Sequence, residues 1–111
     1  MADTYMVNLS VPEAAARIRS EIENGSLTGE LIDFHQVQLP GAQCVVMVYE
    51  KYYYRVNNRL TLTVALDDAQ GRTQVHAISG GGGEGVLFRF DWGASDSFAA
   101  AVQRALQGYL L

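Results

Sequence analysis

The sequence predicts an α+β fold of two layers, with N- and C-terminal helices packed on one face of a four- to five-stranded antiparallel β-meander, in the order α-β-β-β-β-β-α. Three observations carry that reading. Apolar residues recur at helical spacing near both ends of the chain, at Ala15, Ile18 and Ile22 and again at Phe98, Val102, Ala105 and Leu106. Between them lie five runs that alternate with period two or are β-branched and aromatic throughout. The connections between those runs are short, which suits antiparallel neighbours better than parallel strands with long crossovers.

The first helix starts at Ser10-Val11-Pro12-Glu13. Ser10 is placed to cap, Glu13 completes a capping box, and proline is tolerated in a first turn. Arg17, Glu21 and Asn24 fall on the outward side, and Gly25 supplies a C-terminal stop. The expected strands run from Gly29 to Leu39, Ala42 to Arg55, Arg59 to Asp67, Thr73 to Ser79 and Val86 to Trp92. Pro40-Gly41 marks the first turn, Asn57-Asn58 the second, and Asp67, Asp68 and Gly71 the third. In the last helix Ser95 or Asp96 caps, the stripe extends to Tyr109 or Leu110, and Gly108 frays the end.

Turn chemistry sets an expected register. Asn tolerates the positive φ of a two-residue type I′ turn, so Asn57-Asn58 would place Tyr52 opposite Thr63 and Tyr54 opposite Thr61. A four-residue loop from Asp68 to Gly71 would place Leu66 opposite Thr73 and His76 opposite Thr63. Tyr49, Lys51 and Tyr53 then share the core face with Leu60, Leu62, Val64 and Leu66. Glu50, Tyr52, Tyr54, Thr61, Thr63, Gln74, His76, Arg89 and Asp91 share the outer face, which no remaining element covers. Residues Cys44 to Val48 are apolar on both faces, so part of that outer face calls for a cover, and a second copy is the simplest one. Lys51 on the core face is expected to reach water where the hairpin projects past the helices.

The chain of 111 residues makes a single α+β domain spanning residues 1–111, large enough to bury a core. Its 49% hydrophobic and 18% charged residues are ordinary for a globular protein. A lone cysteine, Cys44, rules out an internal disulfide and fits a reducing compartment. Met1-Ala2-Asp3-Thr4-Tyr5 lacks the basic start and apolar run of a signal peptide, and no apolar run is long enough to span a bilayer. A cytoplasmic location with no membrane association is therefore expected. A net charge of -4 argues against binding to nucleic acid or anionic lipid.

No motif carries chemistry. Gly80, Gly82 and Gly85 satisfy G-x-G-x-x-G in form, but they precede the strand-like Val86-Leu87-Phe88-Arg89-Phe90 and not the helix that a dinucleotide pyrophosphate needs. A Lys-Ser/Thr pair is also missing, so the run reads as a connection between strands. His35, His76 and Cys44 lie on three strands without metal-ligand spacing, and Cys44 sits among valines as an inert thiol. Glu50, Tyr52, His76 and Arg89 share a face on which acid–base work is conceivable, yet a flat sheet desolvates nothing. Tyr49 to Arg59 mixes aromatics and cations as single-strand stacking platforms do, but a packing role suits it better. No catalytic residue, cofactor or metal is expected.

The run Ser79 to Gly85, the corner Phe88-Arg89-Phe90-Asp91-Trp92-Gly93 and the terminal amphipathic helix resemble a family of small bacterial proteins known only as a domain of unknown function. The likeness covers most of the chain in length and element order. It implies a bacterial, cytoplasmic protein and brings no catalytic residues with it. The expected function is a non-enzymatic interaction or ligand-binding module, a homodimer acting through the open face, with Glu50, Lys51, Tyr52, Tyr54, Thr63, His76 and Arg89 as binding candidates. The alternatives are a binder of an apolar or carboxylate-bearing ligand held between helices and sheet near Tyr49, Lys51, Tyr53 and Phe90, and a small enzyme.

Overall fold

A computed structural model describes residues 2–24, 29–53, 58–81 and 100–111. Five antiparallel strands form one open sheet: β1 (Ala2–Val7), β2 (Glu30–Leu39), β3 (Ala42–Tyr53), β4 (Asn58–Asp67) and β5 (Thr73–Gly81), in the spatial order β1-β5-β4-β3-β2. Helix α1 (Val11–Asn24) connects β1 to β2, and residues 100–106 are helical and form α2. Both helices lie on one face, so the two-layer α+β architecture stands. Strands β2 to β5 make the meander, and β1 adds itself beyond β5.

The structure differs from the sequence reading at both ends. It places a strand at Ala2–Val7, where none was expected, pairing Tyr5 with Val75 and Val7 with Thr73. The strand expected at Val86 to Trp92, like the caps Gly25, Ser95 and Asp96, lies outside the described residues. Gly108 does not fray the last helix. Its φ of +93° turns the chain out of α2, a left-handed conformation that glycine adopts without strain. Tyr109 to Leu111 then leave the helical stripe and run along β1, with Asn8 N donating to Tyr109 O at 2.8 Å and Leu111 N to Met6 O at 2.9 Å.

The start of α1 is the capping box that its sequence spells. Glu13 N donates to Ser10 Oγ at 3.2 Å, and Ser10 N donates to Glu13 Oε1 at 2.9 Å. Hydrogen bonding to the carboxyl from the Ser10 backbone, and after it from the Ser10 side chain, holds Glu13 below its ordinary pKa. Val11, Ala14, Ala15, Ile18 and Ile22 form the buried stripe, lying over β3 and β4. From α2, Ala101, Val102, Ala105 and Leu106 enter the same core. Arg17 ties the helices together: its Nε donates to Ala105 O at 3.1 Å, satisfying a carbonyl at the end of α2, and its guanidinium lies 4.4 Å from the Tyr109 ring centre.

Pro40-Gly41 joins β2 to β3 directly, with Gly41 at φ +74° as a type II turn requires. The next two hairpins differ in register from the turn-based expectation. Tyr52 faces Arg59 rather than Thr63, so the β3–β4 pairing is slid by four residues, and Asn58 is the first residue of β4 rather than part of a two-residue turn. Leu66 faces Val75 rather than Thr73, a slide of two. Both slides are even, and an even slide leaves every side chain on its own face. Val45, Met47, Tyr49, Leu60, Leu62, Val64, Leu66, Val75 and Ala77 are accordingly all buried beneath the helices.

Urea unfolding checks this account. Ile18→Ala is expected to remove about 2–5 kcal/mol by opening a cavity between α1 and the sheet. Ser10→Ala should remove only about 1 kcal/mol through the lost cap.

Candidate functional site

The face turned away from the helices is ordered in rows that cross the sheet. One row runs Asp33, Val48, Thr63 and Ile78; the next runs His35, Val46, Ala65, His76 and Thr4. Its centre is apolar, and histidines stand at either side. Ile78 is 46% exposed and Tyr52 36%, whereas Cys44, Val46 and Val48 are half-buried. The half-burial has a lateral cause. Strand β3 lies between β2 and β4, so Val37, His35 and Asp33 on one side and Asp67, Ala65 and Thr63 on the other crowd its valines. Cys44 is therefore less enclosed than the inert buried thiol expected from its neighbours.

Of the expected binding residues, Glu50, Tyr52, Thr63 and His76 do lie on this face. They do not converge. His76 sits in the row of Ala65 and Val46, while Glu50 sits in the row of Thr61 and Gly80. Four residues along the strand and two strands across place them about 16 Å apart. Each has its own local partner: His76 Nδ1 lies 2.8 Å from Thr4 Oγ1, and Glu50 Oε1 lies 3.6 Å from Arg59 Nη1. Among the described residues no three His, Cys, Asp or Glu side chains cluster as metal ligands would. Tyr54 and Arg89 lie outside the described residues. The register slides take His76 out of the row expected to hold Tyr52 and widen its distance from Glu50, because they move rows without moving faces.

Ile78 is the residue that the sequence reading passes over. Alternation from Gln74 and His76 carries it to the open face, beside Thr63. Its position two beyond His76 was the available signal.

On the helix side, Tyr49 is wholly buried, and its hydroxyl donates to Glu23 Oε2 at 3.3 Å. Arg19 Nε pairs with that same carboxylate oxygen at 3.1 Å. Lys51 is half-buried two residues on, opposite the buried Leu60. Clefts among the described residues lie elsewhere. One of about 350 Å³ lies between α1 and α2, where Arg104 Nε pairs with Glu21 Oε2 at 3.4 Å. Another of about 550 Å³ opens beside Ser10, Asp68 and Arg72. The third, of about 150 Å³, lies between α1 and β2 near Ala15, Ala16 and Phe34. None of the three includes Tyr49 or Lys51. No described helix is long and apolar enough to cross a membrane.

Fold and face together define a two-layer α+β domain with one side of its sheet uncovered by the described residues. The chain belongs to a family of unknown function, DUF6054, whose model matches residues 1–110. No curated protein and no solved structure matches it.

Burial, and after it the Glu23 carboxylate, pushes the Tyr49 phenol from 10.0 up to about 12. The folded state then binds a proton that the unfolded chain has already lost, so this contribution is complete below pH 10 and disappears as the pH climbs towards 12. Denaturant titrations across that window should show Tyr49→Phe losing less stability with rising pH than the wild type.

Proposed function

We propose that the protein is a non-enzymatic interaction module that works as a homodimer and engages its partner through the open sheet face. One observation carries this reading: an apolar set of Val46, Val48, Ala65 and Ile78 around Thr63, flanked by His35 and His76 in one row and by Glu50 and Thr61 in the row beyond Val48, on the side that neither described helix covers. An apolar patch rimmed by polar groups is the usual makeup of a contact surface. The wide spacing of Glu50 and His76 speaks for binding rather than acid–base chemistry, because a general acid and base must reach one substrate. The acidic balance favours a protein or small-molecule partner over nucleic acid.

Light scattering at micromolar concentration should return twice the chain mass. Ile78→Glu places a charge in the apolar centre without touching the core, and it should abolish partner capture while leaving the urea midpoint near that of the wild type. A face whose partner binding survives both Ile78→Glu and Tyr52→Ala would not be the contact surface.

A further inference from the structure

The two edges of the sheet are finished differently. At the β1 edge the chain seals the end of the strand itself, from Met6 to Asn8: Val7 bridges Leu110, and the hydrogen bonds from Asn8 and Leu111 occupy the backbone there. At the other edge stands β2, ten residues long, and no described strand pairs with its outer side. An unpaired edge of this length presents a row of backbone donors and acceptors, which proteins ordinarily blunt with lysine, proline or a bulge. β2 contains no lysine, arginine or proline, and its one irregularity falls near its start, between Leu31 and Asp33. It also exposes apolar bulk, with Ile32 at 54%, Phe34 at 41% and Leu39 at 45%.

We infer that β2 pairs antiparallel with β2 of a second copy, joining two five-stranded sheets into one, with the two-fold axis at Phe34. This seam rests on the homodimer proposed above and places the contact between copies at the sheet edge, leaving the open face for a further partner. The occupant is a second copy because the strand is complementary to itself. Turned about Phe34, Asp33 of each chain stands opposite the partner's His35, giving two carboxylate–imidazole pairs, and Ile32 stands opposite the partner's Gln36. Asp33 and His35 both lie on the open side, facing Val48 and Val46 on β3, so each pair forms on one face. Phe34 faces Met47 on the helix side. There it meets the partner's Phe34 below Arg19, whose guanidinium lies 5.4 Å from the Phe34 ring centre, beside the small cleft under Ala15 and Ala16. A register centred on His35 would instead set imidazole against imidazole. Joined in this way, the open faces of both copies become one continuous surface.

Cysteine cross-linking locates the seam. In a Cys44→Ser background, which removes the only cysteine, Phe34→Cys is expected to form a disulfide-linked dimer on mild oxidation, because residues facing each other across an antiparallel pair lie within disulfide reach. Ile78→Cys in the same background should stay monomeric on a non-reducing gel. Asp33→Lys should weaken dimerisation about tenfold by light scattering, and Asp33→Lys combined with His35→Glu should restore it, since the reversed pair is again self-complementary. A dimer that links through Ile78→Cys and not Phe34→Cys overturns the seam and leaves the homodimer standing. A wild-type monomer overturns both; β2 amides slow to exchange in that monomer would show the edge covered by the chain itself. Equal dimerisation of wild type, Asp33→Lys and the double variant would also overturn the seam.

Discussion

Successive residues of a strand point to opposite faces, and every other feature of this molecule depends on that alternation. β3, β4 and β5 each send one set of side chains under the helices: Val45, Met47 and Tyr49; Leu60, Leu62, Val64 and Leu66; Val75 and Ala77. Fully burying one such aliphatic side chain is worth roughly 1.5–3 kcal/mol, so the combined set fixes which face turns inward. The alternate set is fixed by the same choice. Val46, Val48, Ala65 and Ile78 cannot reach the core without pulling their neighbours out of it. The open face is thus a consequence of the core.

That constraint also explains what was legible in the sequence and what was not. Faces were readable because Leu60, Leu62, Val64 and Leu66 leave only one parity open. Register was not, because turn chemistry alone selected it. Asn57-Asn58 suits a tight turn, yet the chain closes the hairpin with Tyr53 opposite Asn58. Sliding by four keeps the leucines buried, so burial raises no objection to it. The functional reading is much more sensitive than the fold to this difference. Glu50 and His76 stay on the face assigned to them, but His76 moves from the expected row of Tyr52 to that of Val46, four residues along β3 from Glu50.

The ends of the chain were less legible for a different reason. The capping box at Ser10 and Glu13 is local, and its four residues hold all the information needed. Strand β1 is not local. Asp3, Tyr5 and Val7 share its inner side, and a carboxylate in that set weakens the apolar alternation that marks a strand. Its partner β5 lies some seventy residues away, as the Thr4–His76 contact shows at a separation of 72. The return of Tyr109 to Leu111 beside β1 is equally hidden, because it depends on Gly108 taking a positive φ rather than on any pattern in the tail.

The two sheet edges raise a further question of economy in the fold. An amphipathic helix such as α1 spans roughly 10 Å in width, while neighbouring strands are about 4.8 Å apart. One helix therefore covers about two strands, and α1 sits over β3 and β4. α2 adds Val102 and Leu106 to the same core. Strand β2 is left overhanging, which is why Phe34 and Gln36 are exposed although they lie on the helix side. An overhanging strand is a weakness in an isolated chain, and lysine or proline would have been a simple remedy. Retaining Ile32, Phe34 and Leu39 there instead is consistent with a strand whose burial is completed by another chain. The same geometry links the seam to the open face, since Asp33 and His35 belong at once to the edge and to the rows that cross the sheet.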